Sequence, residues 1–239
     1  MKRFDGKTVI KRLRPDEGKR ILVISDIHGH LPYFEGILQK AGFRSDDILV
    51  IDGDFLEKGR HNLATLRRVM ALAAGGNTHV ICGNCDGWHL IFGMTPEEDD
   101  QMLAYIKYRG RGLLWEMCLE NGIDPQGLEH FTLVKELLRE RYADEWSFLR
   151  SLPHAIETEK FIFAHAGMDP GLSLEENSVE VLEHTDALME KGFSFDKWLI
   201  VGHWPVMLYG SDIVSANPVI DREHRIISID GGCVLKDDG

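Results

Sequence analysis

Six polar side chains in this chain stand in one recurring setting. Asp26, His28, Asp54, Asn84, His165 and His203 each follow a short apolar run and lie within three residues of a glycine. Glycine lets the backbone turn sharply there, so side chains from separate runs can face one shared point. The set comprises two carboxylates, three imidazoles and one amide, a mixture of hard oxygen and borderline nitrogen donors that suits Mn, Fe or Zn. An all-oxygen calcium site or a cysteine-rich structural zinc site would be composed differently. One ion would not use six such donors. Two ions sharing one carboxylate would, at the ~3.5–4 Å spacing of two-metal hydrolases. Two carboxylates cannot neutralise two divalent ions, so such a centre stays cationic. It would recruit a hydroxide and then an anionic substrate, and clamp the oxygens of an in-line displacement at phosphorus. Any one of the six alone reads as a strand-end cap or a satisfied core histidine; recurrence at five strand ends carries the reading.

The elements that must position these residues follow from the apolar pattern. Arg20 to Ile24 reads as a buried strand, because it is short, apolar and bounded by charge and turn residues. Asp26 and His28 leave the sheet together at its C-terminal edge, where open α/β sheets carry ligands. A helix over Leu31 to Ala41, a strand over Asp47 to Asp52, a helix over Leu63 to Ala74 and a strand over Thr78 to Cys82 follow. This alternation predicts parallel neighbours in an α/β sheet. From Trp88 to about Leu152 the chain reads as helical. Thr95-Pro96-Glu97-Glu98 gives a capping box, and Asp124-Pro125 opens a helix through Tyr142 with Leu128, Phe131, Val134, Leu137 and Leu138 on one face. This block either caps the functional edge or packs on the sheet's flank. Strands return at Lys160 to Ala164 and Lys197 to Val201, with a helix near Val179 to Lys191 between them. Strands around Asp212 to Ala216 and Arg225 to Ile229 would complete the sheet in antiparallel fashion, and Thr8 to Ile10 would add a short edge strand.

With 239 residues the chain reads as one domain, 1–239, with a helical insertion at about 88–152. The formal net charge of -12 repels nucleic-acid backbones and anionic membranes at long range, so neither is expected as the main partner. Cys82, Cys85, Cys118 and Cys233 are too few and too scattered for a disulfide framework, although Cys82 and Cys85 form one C-x-x-C that could serve redox control. The N-terminus has no apolar signal core and no segment approaches the length of a membrane span, so a reducing, cytoplasmic location is expected.

Ser25-Asp26-Ile27-His28-Gly29, Gly53-Asp54-Phe55-Leu56-Glu57-Lys58-Gly59, Gly83-Asn84-Cys85-Asp86, His165-Ala166-Gly167 and Gly202-His203-Trp204-Pro205-Val206 together resemble the calcineurin-like metallophosphoesterases. The nearest branch is the one holding serine/threonine phosphoprotein phosphatases and symmetric diadenosine tetraphosphatases; Phe148 to Pro153 and Ile229 to Gly232 resemble it too. The resemblance implies a four-layer α-β-β-α sandwich with two metal ions at strand ends, manganese foremost and iron or zinc as alternatives. It implies that Asp26, His28 and Asp54 hold the first ion, that Asp54 bridges, and that Asn84, His165 and His203 complete the second. A metal-bridging hydroxide would attack a phosphate ester or phosphoanhydride. The substrate would be a phosphorylated small molecule, a nucleotide or a phosphoprotein. Many relatives carry a second histidine where Pro205 stands, and many continue with another strand beyond Gly239.

Three positions depart from that branch. Cys85 replaces the histidine that donates a proton to the leaving oxygen, and a thiol of ordinary pKa near ~8.5 donates only weakly. Glu57-Lys58 replaces an Asp-Arg pair; Glu57 would still orient a donor, while Lys58 is a point charge without a bidentate grip on phosphate. Arg60, Arg109 and Arg111 are substitutes by position only, and His61 and His89 read as surface histidines. The pattern favours leaving groups that depart unaided, such as nucleotide phosphates and aryl oxides, over serine alkoxide. Gly-Asn-Cys-Asp also resembles a group of small prokaryotic phosphodiesterases. Two further readings stand beside this one: a phosphoprotein phosphatase with weakened acid catalysis, and a non-catalytic binding module on the same scaffold.

Overall fold

In the computed structural model, residues 7–87, 99–109, 111–185, 196–209 and 215–235 are described. The capping box at Thr95, Trp88, His89, the Arg109 side chain, and the expected helix and strand segments at 186–191 and 212–214 lie outside that set.

Two sheets stack face to face. The smaller consists of β2 (Ile21–Ile24), β3 (Ile48–Asp52) and β4 (Thr78–Ile81), all parallel, in the order β2-β3-β4. The larger has six strands: β1 (Ile10–Arg12), β5 (Ala155–Glu157), β6 (Phe161–Phe163), β7 (Trp198–Val201), β8 (Val219–Asp221) and β9 (Ile226–Ser228). Their order is β1-β5-β6-β7-β9-β8, with β6, β7 and β9 mutually parallel. Side-chain alternation divides each strand between two cores. Ile48 and Val50 of β3 and Ile81 of β4 meet Ile156, Phe163 and Ile200 of the larger sheet, forming the layer between the sheets. Leu49, Ile51 and Val80 face outward into a helical layer. On the far side, Ile162, Leu199, Val201 and Ile226 pack under α7 (Val179–His184) through Leu182. Helix, sheet, sheet, helix is the layer order expected from the sequence.

The outer layer on the smaller sheet contains α1 (Leu31–Lys40), α2 (Asn62–Ala74) and four helices of the long block: α3 (Asp99–Arg109), α4 (Leu113–Glu120), α5 (Thr132–Arg141) and α6 (Ala143–Arg150). Met102, Ile106, Leu113, Met117, Leu138 and Trp146 share one buried cluster with Leu66 and Val69 of α2 and Ile51 of β3. The described part of the block therefore packs on the flank, and among the described residues the α3–α4 junction reaches the functional edge, through Glu57.

Several boundaries differ from the sequence expectation. Asp124 does not start a helix: its Oδ1 accepts the Gln126 N–H and its carbonyl accepts the Gly127 N–H, closing a turn, and helix begins at Thr132. Leu128 and Phe131 are buried as expected, but Leu137 is exposed. The edge strand is shifted to Ile10–Arg12, the hairpin partner of β9 is Val219–Asp221, and β5 was not expected.

Candidate metal centre

The five strand ends converge because parallel pairing sets them side by side. Ile24 pairs with Ile51 and Asp52 with Ile81, so the turns after β2, β3 and β4 emerge at one edge. Phe163 pairs with Ile200 across the larger sheet, so His165 and His203 leave beside them. The turns themselves are strained. Of seven described non-glycine residues with positive φ, six are Asp26, His28, Asp54, Glu57, Lys58 and His203. Left-handed backbone at aspartate, histidine, glutamate and lysine persists only where the surroundings impose it, and such strain concentrates at functional sites.

Two glycines set the spacing by having no side chain. A Cβ on Gly202 would stand 2.6 Å from Ser25 Oγ and closer still to Asp26 Oδ2. A Cβ on Gly53 would stand 2.6 Å from His165 Nδ1.

Asp54 is the centre of the cluster. Its Oδ2 lies 3.6 Å from His28 Nε2 and its Oδ1 lies 3.4 Å from His165 Nε2, so its two oxygens serve opposite sides. Ligand atoms of Asp26, Asp54 and His165 fall within 4.8 Å of one another, and so do those of His28, Asp54 and Cys85. Asn84 Oδ1 is 3.1 Å from His165 Nε2 and 3.0 Å from His203 Nδ1. Asp26 Oδ1 is 3.6 Å from His28 Nε2, while its Oδ2 accepts the His203 N–H at 2.9 Å. The imidazoles are aimed from behind: Nδ1 of His28 donates to the Leu56 carbonyl at 3.1 Å, and Nδ1 of His165 to the Asp52 carbonyl at 2.9 Å. That leaves each Nε2 pointing inward, as a metal-binding histidine requires.

Buried as it is, the Asp54 carboxyl would be pushed up by desolvation, but the His165 and His28 rings and the Cys85 N–H hold it well below the usual range. Burial works against charge on His165, yet Asp54 and Asp26 outweigh it and raise that ring. His203 goes the other way, lowered to about 4 by burial and by the facing His165. A cation fits this donor set on two observations. Asp26 Oδ1 is buried and accepts no hydrogen bond, a costly state for a carboxylate oxygen. Asn84 Oδ1 lies 3.1 Å from His165 Nε2 and 3.0 Å from His203 Nδ1, and the same His165 nitrogen is 3.4 Å from Asp54 Oδ1, so oxygen and nitrogen donors crowd one point.

The remaining sequence candidates divide. Cys85 is in the cluster, buried, with its N–H donating to Asp54 Oδ1 at 2.7 Å; burial and the Asp54 charge raise its thiol well above the ordinary value. Lys58 is exposed and places Nζ 3.2 Å from His28 Nε2. The Glu57 carboxylate accepts from the Tyr105 hydroxyl and from the Leu113 N–H at 3.0 Å. Arg60, His61 and Arg111 are exposed.

Three carboxylates near the centre were not singled out from sequence. Asp86 accepts from Leu56 N–H and Gly83 N–H, both at 3.0 Å, and so ties the β3 and β4 turns together. Its place in Gly-Asn-Cys-Asp was the available signal. Asp52 is wholly buried with neither carboxylate oxygen hydrogen-bonded, and burial with the nearby Asp26 pushes it up to about 8. A charged residue ending the apolar face of Ile48 and Val50 could have marked it. Asp230, raised to about 7 by burial and by Asp26, accepts the Gly232 N–H at 2.8 Å.

Comparison with known proteins adds the family. The sequence profile of the calcineurin-like phosphoesterases matches residues 19–226. The chain belongs to the calcineurin-like phosphoesterase family. Among solved structures, this phosphoesterase is similar to a protein assigned as a diadenosine tetraphosphatase, at 19% identity and TM-score 0.60, covering 95% of this chain and 90% of that one. It is similar to a protein serine/threonine phosphatase from Saccharomyces cerevisiae that resembles human phosphatase PP5, at 14% identity and TM-score 0.54, covering 94% and 71%. A metallophosphoesterase from Sphaerobacter thermophilus aligns at 20% identity and TM-score 0.50, covering 90% and 77%. At these identities the likeness establishes the fold. No curated protein matches the sequence. Among the described residues, no helix is long and apolar enough to cross a membrane.

Proposed function

We propose that this phosphoesterase is a dinuclear, metal-dependent phosphohydrolase, one domain over 1–239 with an insertion at 88–152, acting on phosphoanhydrides or activated phosphate esters in the cytoplasm. The observation that carries the reading is the two-sided Asp54 carboxylate, with His28 Nε2 at 3.6 Å from one oxygen and His165 Nε2 at 3.4 Å from the other. On this reading Asp26, His28 and Asp54 hold one ion, and Asp54, Asn84, His165 and His203 hold the second, with manganese the expected metal and iron or zinc the alternatives. Two such ions, when bound, supply an acidified water as nucleophile and neutralise charge on phosphate oxygens.

The protein's own groups then account for substrate choice. Lys58 puts a positive charge at the exposed mouth of a chain whose net charge is -12, attracting a phosphate without gripping it in a fixed plane. Glu57 is anchored by Tyr105 and Leu113, and holds the turn that carries Lys58 against the α3–α4 junction. Cys85 stands where a strong proton donor would help an alkoxide leave, and its raised thiol leaves that assistance weak. Substrates whose leaving group is a nucleotide phosphate or an aryl oxide lose least. The similarity to a protein assigned as a diadenosine tetraphosphatase supports the anhydride side of this choice, and the likeness to a serine/threonine phosphatase keeps phosphoproteins in the panel.

The test is a substrate panel on manganese-loaded enzyme, comparing p-nitrophenyl phosphate, dinucleoside polyphosphates, phosphodiesters and a phosphoserine peptide, with Asp54→Ala as the blank. Turnover of anhydride or aryl substrates that Asp54→Ala abolishes is expected. Stoichiometric metal with no turnover of any of them would instead mean a binding module.

A further inference from the structure

The three donors shared out to the His28 side, Asp26, His28 and Asp54, leave that ion short of the four that a tetrahedral site takes. A fourth donor is already beside it. The Cys85 sulfur, a ring nitrogen of His28 and a carboxylate oxygen of Asp54 lie within 4.8 Å of one another. Nδ1 of His28 is committed to the Leu56 carbonyl, so the nitrogen that faces the ion is Nε2. At a tetrahedral angle, bonds of about 2.3 Å to sulfur and 2.0–2.1 Å to nitrogen set two ligands of one zinc roughly 3.6 Å apart. A span of at most 4.8 Å therefore closes on one ion when the side chains together move by about 1 Å. The cysteine is also fixed in place: its N–H donates to Asp54 Oδ1 at 2.7 Å, and its side chain is buried among these donors. Asp26 Oδ1, 3.6 Å from His28 Nε2, is buried and accepts no hydrogen bond, which marks an unmet demand for a cation on the His28 side.

We propose that Cys85 is a thiolate ligand of the His28-side ion rather than a proton donor. The assignment rests on the dinuclear reading above and deepens it. Binding breaks the Cys85 S–H bond, forms a sulfur–metal bond and releases one proton to solvent, with no electron transferred. Two consequences follow. A sulfur bound to metal has no proton for a leaving group, which explains the substrate preference without invoking a weak acid. A soft anionic donor also biases that position toward zinc, cobalt or cadmium over manganese.

Cobalt titration of the full chain reads this directly. Wild type is expected to develop the near-ultraviolet thiolate-to-cobalt charge-transfer band, lost in Cys85→Ser and kept in Cys82→Ser, whose sulfur donates to the Gly83 carbonyl and belongs to the outer core. Cobalt affinity in Cys85→Ser should fall at least as far as the roughly 10–100-fold that losing an outer partner of a metal ligand costs. X-ray absorption on the zinc-loaded wild type needs no variant and should show sulfur at about 2.3 Å. Two cobalt ions bound with no charge-transfer band, or zinc surrounded by nitrogen and oxygen alone, would overturn the cysteine assignment and leave the phosphohydrolase reading standing. Failure to bind cobalt or manganese at all would overturn both.

Discussion

Gly202→Ala offers the sharpest coupling between packing and the metal centre. The added Cβ would sit 2.6 Å from Ser25 Oγ and 2.7 Å from Ser25 Cβ, and closer to Asp26 Oδ2. None of these atoms can retreat freely, because Ser25 and Asp26 continue β2 and Asp26 Oδ2 holds the His203 N–H at 2.9 Å. Overpacking of this kind costs about 1–3 kcal/mol, and loss of a hydrogen bond to a charged group about 1.5–3 kcal/mol. Because the two costs share Asp26, they do not add fully, and a loss of about 2–5 kcal/mol is expected. For a chain of this size each kcal/mol lowers Tm by roughly 2–4 °C. Metal-free protein should be measured by thermal and urea unfolding, with Gly36→Ala as control: that glycine lies within α1 with nothing within 4 Å of an added Cβ. The control should gain about 0.4–1 kcal/mol. In Gly202→Ala the same displacement moves both Asp26 and His203, so metal affinity should drop along with stability. A Gly202→Ala protein that melts like wild type and binds metal equally well would refute the geometry from which this is argued.

Two further outcomes follow from single residues. The Arg20 guanidinium, bonding both oxygens of Asp47, holds that carboxyl down to about 2 from the ordinary 3.8. Its contribution to stability is complete above the unfolded value and disappears as pH falls from 3.8 toward about 2. Asp47→Asn should remove that part of the acid dependence in urea melts taken across this window, and an unchanged slope would count against the pair. Cys85→His would restore a strong proton donor, so hydrolysis of a phosphoserine peptide should rise relative to p-nitrophenyl phosphate. An unchanged ratio would mean that the leaving group was never limiting.

The strand ends were legible in the sequence because apolar runs lead into them: β2 is Ile-Leu-Val-Ile, β3 is apolar and buried up to Asp52, and β4 keeps Val80 and Ile81 after Thr78 and His79. Parallel register did the rest, bringing ends that are far apart in sequence to one edge. What was illegible depends on tertiary contacts. β5 and β8 are three residues each, too short for alternation to register, and their pairing is set by neighbours already in the sheet, whereas β9 falls inside the strand expected around Arg225 to Ile229. The turn at Asp124 carries Pro125 like a helix start, but Gly127 two residues on lets the turn close, so burial of Leu128 and Phe131 comes without helix. Glu57 reads from sequence as a residue that orients a donor; its contacts with Tyr105 and Leu113 of the helical block are ones that no local pattern encodes. Asp52 was hidden for the opposite reason: it looks like the polar end of a strand, yet it points with Ile48 and Val50 into the space between the sheets.

The most direct test of the shared-carboxylate centre is metal content by elemental analysis after manganese loading and removal of free ions. Wild type should retain two ions per chain, and Asp54→Asn, which loses the charge that both sides share, should retain one or none. A wild type that holds a single ion, or an Asp54→Asn protein that keeps both as tightly as wild type, would contradict the account.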